Sequence, residues 1–133
     1  MKRELTSHKV NGLNEALKIE VLDEPGQGNA CHEYLIASVE TFNESDVEKA
    51  CRLSRCNTRI RFQNGPIQEK GVNGISNEAL LAVVEDRLIG FQSGQFACRE
   101  NAVALTKLQE CAMWLSKRTR DRVARGVEGT SIK

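Results

Sequence analysis

The chain has 133 residues and a mass of 14.8 kDa, enough for one domain or one domain with an appended hairpin. Nineteen basic residues stand against 18 acidic ones, a near-balance that excludes a histone-like, purely electrostatic nucleic-acid binder. The longest apolar run, Ala79 to Val84, is far too short to span a bilayer. The Met1-Lys2-Arg3 start is followed by no apolar stretch, so no signal peptide is expected.

The first half has the period of a sheet. Leu17, Ile19 and Val21 alternate with Lys18, Glu20 and Leu22, which predicts a strand. Asp23-Glu24-Pro25-Gly26-Gln27-Gly28-Asn29 is a dense turn cluster that ends it. His32 to Val39 is a second extended run, with Tyr34, Ile36 and Ser38 on one face and Leu35, Ala37 and Val39 on the other. Both faces are largely apolar, so this strand is expected to be central. Ser45-Asp46-Val47-Glu48 fits a capping box and predicts a short helix ending near Cys56 that buries Val47, Ala50, Cys51 and Leu53. Thr58, Ile60 and Phe62 alternate with Arg59, Arg61 and Gln63 in a third strand, stopped by Asn64-Gly65-Pro66.

The second half changes period. Ser76 is a good N-cap for a helix with the stripe Leu81, Val84, Leu88 and Phe91, which Gly90 and Ser93-Gly94 are expected to break. A second helix, from about Phe96 to Arg125, repeats the spacing at Cys98, Asn101, Leu105, Leu108, Ala112, Leu115, Thr119 and Arg122. At 1.5 Å per residue it is roughly 40 Å long, so one end projects beyond its partner. The joining loop is short enough to impose an antiparallel hairpin. The expected fold is α+β: a small antiparallel sheet with a short helix over residues 1–66, followed by a long antiparallel helical hairpin over residues 67–133 through which the protein dimerises.

The long helix has a polar seam at both ends, Asn101 near its start and Thr119 and Arg122 near its finish. Either these ends are solvated, or they line a polar pocket where two hairpins meet. Lys117, Arg118, Arg120, Arg122 and Arg125 face a single Asp121 in this stretch. Cations in a last helical turn complement its dipole, which accounts for one or two of them. The repeated choice of arginine suits phosphate, which its planar fork engages, and bases, on which its face stacks. A second group, Arg52, Arg55, Arg59 and Arg61, reads first as a solvated face. Phe91 is either core or, beside Gly90, a platform for a planar base.

Catalytic patterns are missing. Gly126-Val127-Glu128-Gly129-Thr130 lacks the lysine of a Walker loop. The five cysteines, Cys31, Cys51, Cys56, Cys98 and Cys111, contain no C-x-x-C pair and read as reduced thiols, and His8 and His32 supply no zinc pattern. Cys31 and His32, adjacent on a strand, point to opposite faces. No metal or cofactor is expected. The residues describe a binding protein for something phosphorylated rather than an enzyme.

A longer series of motifs carries a resemblance. Phe62-Gln63-Asn64-Gly65-Pro66-Ile67, Gly71-Val72-Asn73-Gly74, Asn77-Glu78-Ala79-Leu80-Leu81 and Asp86-Arg87-Leu88 are followed by Gly90-Phe91-Gln92, Ala97-Cys98-Arg99-Glu100-Asn101-Ala102, Arg118-Thr119-Arg120 and Arg125-Gly126-Val127-Glu128-Gly129-Thr130. This series resembles the C-terminal helical hairpin of the phage Thoeris anti-defence sponge family, and phage anti-CBASS sponges share a related hairpin. The Asp23-Glu24-Pro25-Gly26 turn, running to His32 and Tyr34, is similar to the family's N-terminal part. The resemblance implies a non-enzymatic protein that captures a cyclic ADP-ribose signal made by TIR-domain defence enzymes in the host bacterial cytoplasm. Some members also bind the cyclic di- or trinucleotides of CBASS cyclases. It further implies a homo-oligomer built from dimers, up to a hexamer, with pockets between protomers. Phe91 and Asn101 match the family's pocket aromatic and amide, and Arg118 and Arg122 its arginines near the end of the long helix. Arg99 and Arg61 complete the candidate ligand contacts. One departure is Ser131, where family tails commonly carry histidine. Two other classes compete: a small DNA- or RNA-binding regulator using the arginine clusters, and an enzyme that degrades a cyclic nucleotide.

Overall fold

The computed structural model describes residues 3–38 and 56–133, which fall in two units, Met1–Asn64 and Gly65–Lys133. The helix predicted from Ser45, together with Cys51, Arg52 and Arg55, lies outside the described residues.

In the first unit a short strand, β1 (Arg3–Leu5), leads to a one-turn helix, α1 (Gly12–Glu15), capped by the Asn11 side chain, which accepts from the Asn14 N–H at 2.9 Å. Strands β2 (Leu17–Val21), β3 (Glu33–Ser38) and β4 (Thr58–Arg61) follow. The four strands pair antiparallel in the order β1-β2-β3-β4, so β3 is central, as its sequence predicts. The register sorts the two faces: Ile19 opposes Ile36, Val21 opposes Tyr34, and Tyr34 opposes Ile60. These residues, with Leu5 opposite Ile19, form the apolar face. Val21 is fully buried, and the Tyr34 and Phe62 rings meet edge to face at 5.7 Å. The opposite face is more polar than predicted, because Glu20 pairs with Leu35, Glu33 with Arg61 and Leu35 with Arg59.

The turn between β2 and β3 is held by one carboxylate. Asp23 accepts the His32 N–H at 2.8 Å and the Glu33 N–H at 3.0 Å. Burial pushes its carboxyl pKa up, but the backbone donors of Glu33 and His32 outweigh that effect and hold it below the ordinary carboxylate range. The His32 imidazole is buried against Gly26, where an added Cβ would stand 3.3 Å from the ring.

The second unit holds a one-turn helix, α2 (Ile67–Lys70), and two long helices, α3 (Asn77–Gln92) and α4 (Arg99–Ala124). Ser76 caps α3 as predicted, its hydroxyl accepting the Ala79 N–H at 3.1 Å. Gly90 does not break the helix. A lone glycine costs only about 1 kcal/mol against alanine, and α3 continues to Gln92 before Ser93 donates back to Ile89 and Gly90.

The α4 seam follows the predicted spacing: Asn101, Leu105, Leu108, Ala112, Leu115, Thr119 and Arg122 are half-buried. Cys98 instead caps the helix as an exposed residue, its sulfur accepting the Asn101 N–H at 3.4 Å. The α3 seam is displaced from its predicted phase. Leu81, Glu85, Leu88 and Gln92 are half-buried, whereas Val84 and Phe91 are exposed. Glu85 and Gln92 can face inward because each has a partner: Gln109 donates to Glu85 at 3.3 Å, and Gln92 accepts the Cys98 N–H at 3.0 Å.

Candidate functional site

At the bend of the hairpin, α3 delivers Phe91 and α4 delivers Arg99 and Asn101. The bend is pinned by Gln92 on Cys98 and by Ser93 on Gly90, so these side chains start from a fixed turn. Phe91 is 39% exposed. Arg87, one turn earlier on α3, lies over its ring at 5.6 Å from the centroid. Phe96 meets it edge to face at 6.4 Å. Arg99 is exposed and Asn101 half-buried. The bend therefore offers an aromatic face, an amide and two guanidinium groups.

The other end of the hairpin is cationic. Lys117 donates to Asp121 at 2.6 Å, a hydrogen bond that lowers the Asp121 pKa. Arg118 and Arg120 are exposed. Arg122 behaves differently. Its side chain is 11% exposed and donates to Glu128 at 3.0 Å, and to the carbonyls of Val127, Thr130 and Ile132 at 2.9, 3.0 and 2.8 Å. A guanidinium has five N–H donors, and these bonds occupy all but one. Arg125 donates to the Lys133 carbonyl at 2.8 Å.

The tail reaches this position through a glycine-dependent stop. Gly126 takes φ 71°, and the N–H groups of Gly126 and Val127 return to Val123 and Arg122 in the Schellman pattern. The tail then meets α2, where Gln68 donates its amide to Glu128 and its backbone N–H to Gly129. Gly129 sits at φ 76°, and a Cβ there would lie 2.9 Å from Ile67. α2, the end of α4 and the tail thus form one clasp at the base of the hairpin.

The two ends of the site are far apart within one chain. Asn101 and Arg118 are separated by 17 positions on α4, about 26 Å along a helix. That distance is too long for both to reach one compact cyclic ligand from a single chain. Arg61 lies in the sheet unit on β4, 3.8 Å from Glu33, beside the shorter Arg59–Glu33 pair at 2.6 Å. This matches a solvated, charge-paired strand face.

Arg87 and Phe96 are absent from the sequence-based site. The available signal was the i, i+4 relation of Arg87 to Phe91, which places both on one side of a helix. Among the described residues, no three His, Cys, Asp or Glu side chains converge as metal ligands would, and no helix is long and apolar enough to cross a membrane.

Residues 55–120 match the family model of the Acb2/Tad1 hairpin domain. Over 74 residues the chain is 57% identical to a protein named Thoeris anti-defense 1 from Bacillus phage SBSphiJ7, a stretch that takes in 56% of this chain and 52% of that protein. The chain thus spans about half the length of the curated relative it matches.

Proposed function

We propose, from the match of residues 55–120 to the Acb2/Tad1 hairpin domain and the likeness to Thoeris anti-defense 1, that the chain is a phage anti-defence sponge. It binds and sequesters glycocyclic ADP-ribose signals made by TIR enzymes, and cyclic oligonucleotides made by CBASS cyclases, without cleaving them. It works in the cytoplasm of the host bacterium. A cyclic nucleotide offers a base to stack, phosphates to neutralise and hydroxyls to hydrogen-bond. Phe91 supplies the stacking face, Arg99 and Arg118 the charge, and Asn101 the directional hydrogen bond. Arg122 contributes its remaining N–H and the tail it holds.

The observation that carries this reading is the division of the hairpin into a bend, where Phe91 of α3 meets Asn101 of α4, and an arginine-rich far end of α4, about 26 Å from Asn101 along the helix. A pocket using both requires the bend of one chain and the base of another. The hairpin surface supports such pairing. Trp114 is 71% and Met113 67% exposed, with Val83, Ile89, Val103 and Val123 also open. That is a large apolar surface for a hairpin in which no described residue is fully buried. The assembly is a dimer through the hairpin, and dimers join into a hexamer.

Native mass spectrometry with candidate cyclic nucleotides, followed by heat release and mass analysis of what was bound, tests the proposal. The expected result is an oligomer that returns intact ligand. Release of cleaved ligand would establish an enzyme instead. Binding to DNA or RNA that falls steeply with salt, with no cyclic-nucleotide binding, would establish a nucleic-acid regulator.

A further inference from the structure

Phe91 stands near the end of α3 with 39% of its surface exposed. A ring in such open surroundings is free to rotate unless neighbours hold it, and any rotation must be frozen when a base stacks. Two neighbours are present. Arg87 covers the ring at 5.6 Å, within the roughly 6 Å reach of a cation–π contact. Phe96 sets its edge at 89° and 6.4 Å. Arg87 is exposed, and among the described residues its guanidinium makes no hydrogen bond or ion pair besides this ring contact. No described carboxylate draws it away. The i, i+4 spacing fixes the geometry on one helix, so the pair needs no second chain to form.

We propose that Arg87 is a positioning residue of the ligand site, which sets the orientation of Phe91 before a nucleotide base arrives. This inference rests on the reading of the bend as half of a nucleotide pocket. Arg87 acts through the ring: its guanidinium holds one side of the π system, which leaves the ring's remaining open surface as the stacking face. A lysine, with a compact ammonium, would hold the ring less well but keep the cation. Methionine would retain an apolar stem without the charge.

The test uses the full chain and glycocyclic ADP-ribose as probe, with affinities from calorimetry for the unsubstituted protein, Arg87→Met, Arg87→Lys, Phe91→Leu, and Arg87→Met combined with Phe91→Leu. Circular dichroism on each sample verifies folding, which an exposed substitution should leave intact. The expected result is about a three- to fivefold loss of affinity in Arg87→Met, the size of an exposed cation–π contact, with most of it restored in Arg87→Lys. Once Phe91 is leucine, Arg87→Met should have no further effect, because a residue that acts through the ring has nothing left to act on. An equal loss in both backgrounds would show that Arg87 touches the ligand itself and would overturn the positioning role. So would an Arg87→Met protein that binds as well as the unsubstituted chain while Phe91→Leu does not. Failure of the unsubstituted chain to bind, or indifference to Phe91→Leu, would instead remove the pocket reading and this proposal with it.

Discussion

Arg122 and Arg118 are one helical turn apart on the same face of α4, yet their surroundings differ completely. Arg118 is exposed, whereas Arg122 is half-buried under the tail it binds. Sequence spacing could place both on a common stripe, but nothing in the spacing indicates that three carbonyls and Glu128 would fold back onto one of them. Arg122→Ala is expected to cost about 2 kcal/mol, since its charge-assisted bonds to three tail carbonyls and to Glu128 are lost. It should lower the melting temperature and open the chain after Gly126 to limited proteolysis. Arg122→Lys should recover little, because a single ammonium cannot span the same set of carbonyls. Unchanged protease resistance in Arg122→Ala would show that the tail is held by α2 alone. Asp23 makes a second residue-scale forecast. Its folded pKa is depressed, so the stability it contributes is present above the ordinary carboxylate range and is lost as pH falls through the folded value. Asp23→Ala should therefore melt well below the unsubstituted chain at neutral pH, and the gap should close in acid. A gap that stays constant from neutral pH to acid would remove the carboxylate from that role.

At the scale of elements, clear alternation or clear caps made a segment legible. β2, β3 and β4 alternate over their lengths, and Ser76 announces α3. β1 is too short, at three residues, to show a period, and α2 carries no side-chain cap. The α3 seam was misphased for a different reason. Ala79 to Val84 is apolar at every position, so the first turn and a half contains no contrast from which to choose a face. The choice fell to Glu85 and Gln92, whose partners, Gln109 and the Cys98 N–H, come from α4 and its cap. The same limit governed the candidate site: Phe91 could be singled out by its place beside Gly90, but its exposure follows from this seam phase. Gly90 provides the test at this scale. It lies inside α3 with open space where a side chain would begin. Gly90→Ala should stabilise the hairpin by about 0.4–1 kcal/mol, through the unfolded chain's lost freedom and alanine's helix preference. Thermal unfolding should show a rise of a few degrees. A fall would mean that the helix is interrupted at Gly90 in solution, as its sequence alone suggests.

On the scale of the whole molecule, the length of α4 makes the site a question of assembly. Asn101 and Arg118 cannot serve one compact ligand from the same chain, so a pocket that uses both joins the bend of one protomer to the base of its partner. A two-fold dimer then holds two such composite pockets, each with one bend and one base. Asn101→Ala spoils every bend and Arg118→Ala every base, so each variant alone has no intact pocket. Mixing the two by co-expression in equal amounts changes the count. Half of the dimers are mixed, and each mixed dimer has one doubly defective pocket and one fully intact pocket. About a quarter of all pockets should therefore recover full affinity, visible in a cyclic nucleotide titration as a tight class at roughly that fraction of sites. A pocket built within one chain predicts the opposite: no mixture of the two variants recovers a tight site in any proportion. Light scattering on the same samples must give a mass well above 14.8 kDa, since a monomer would leave no partner to complete the pocket.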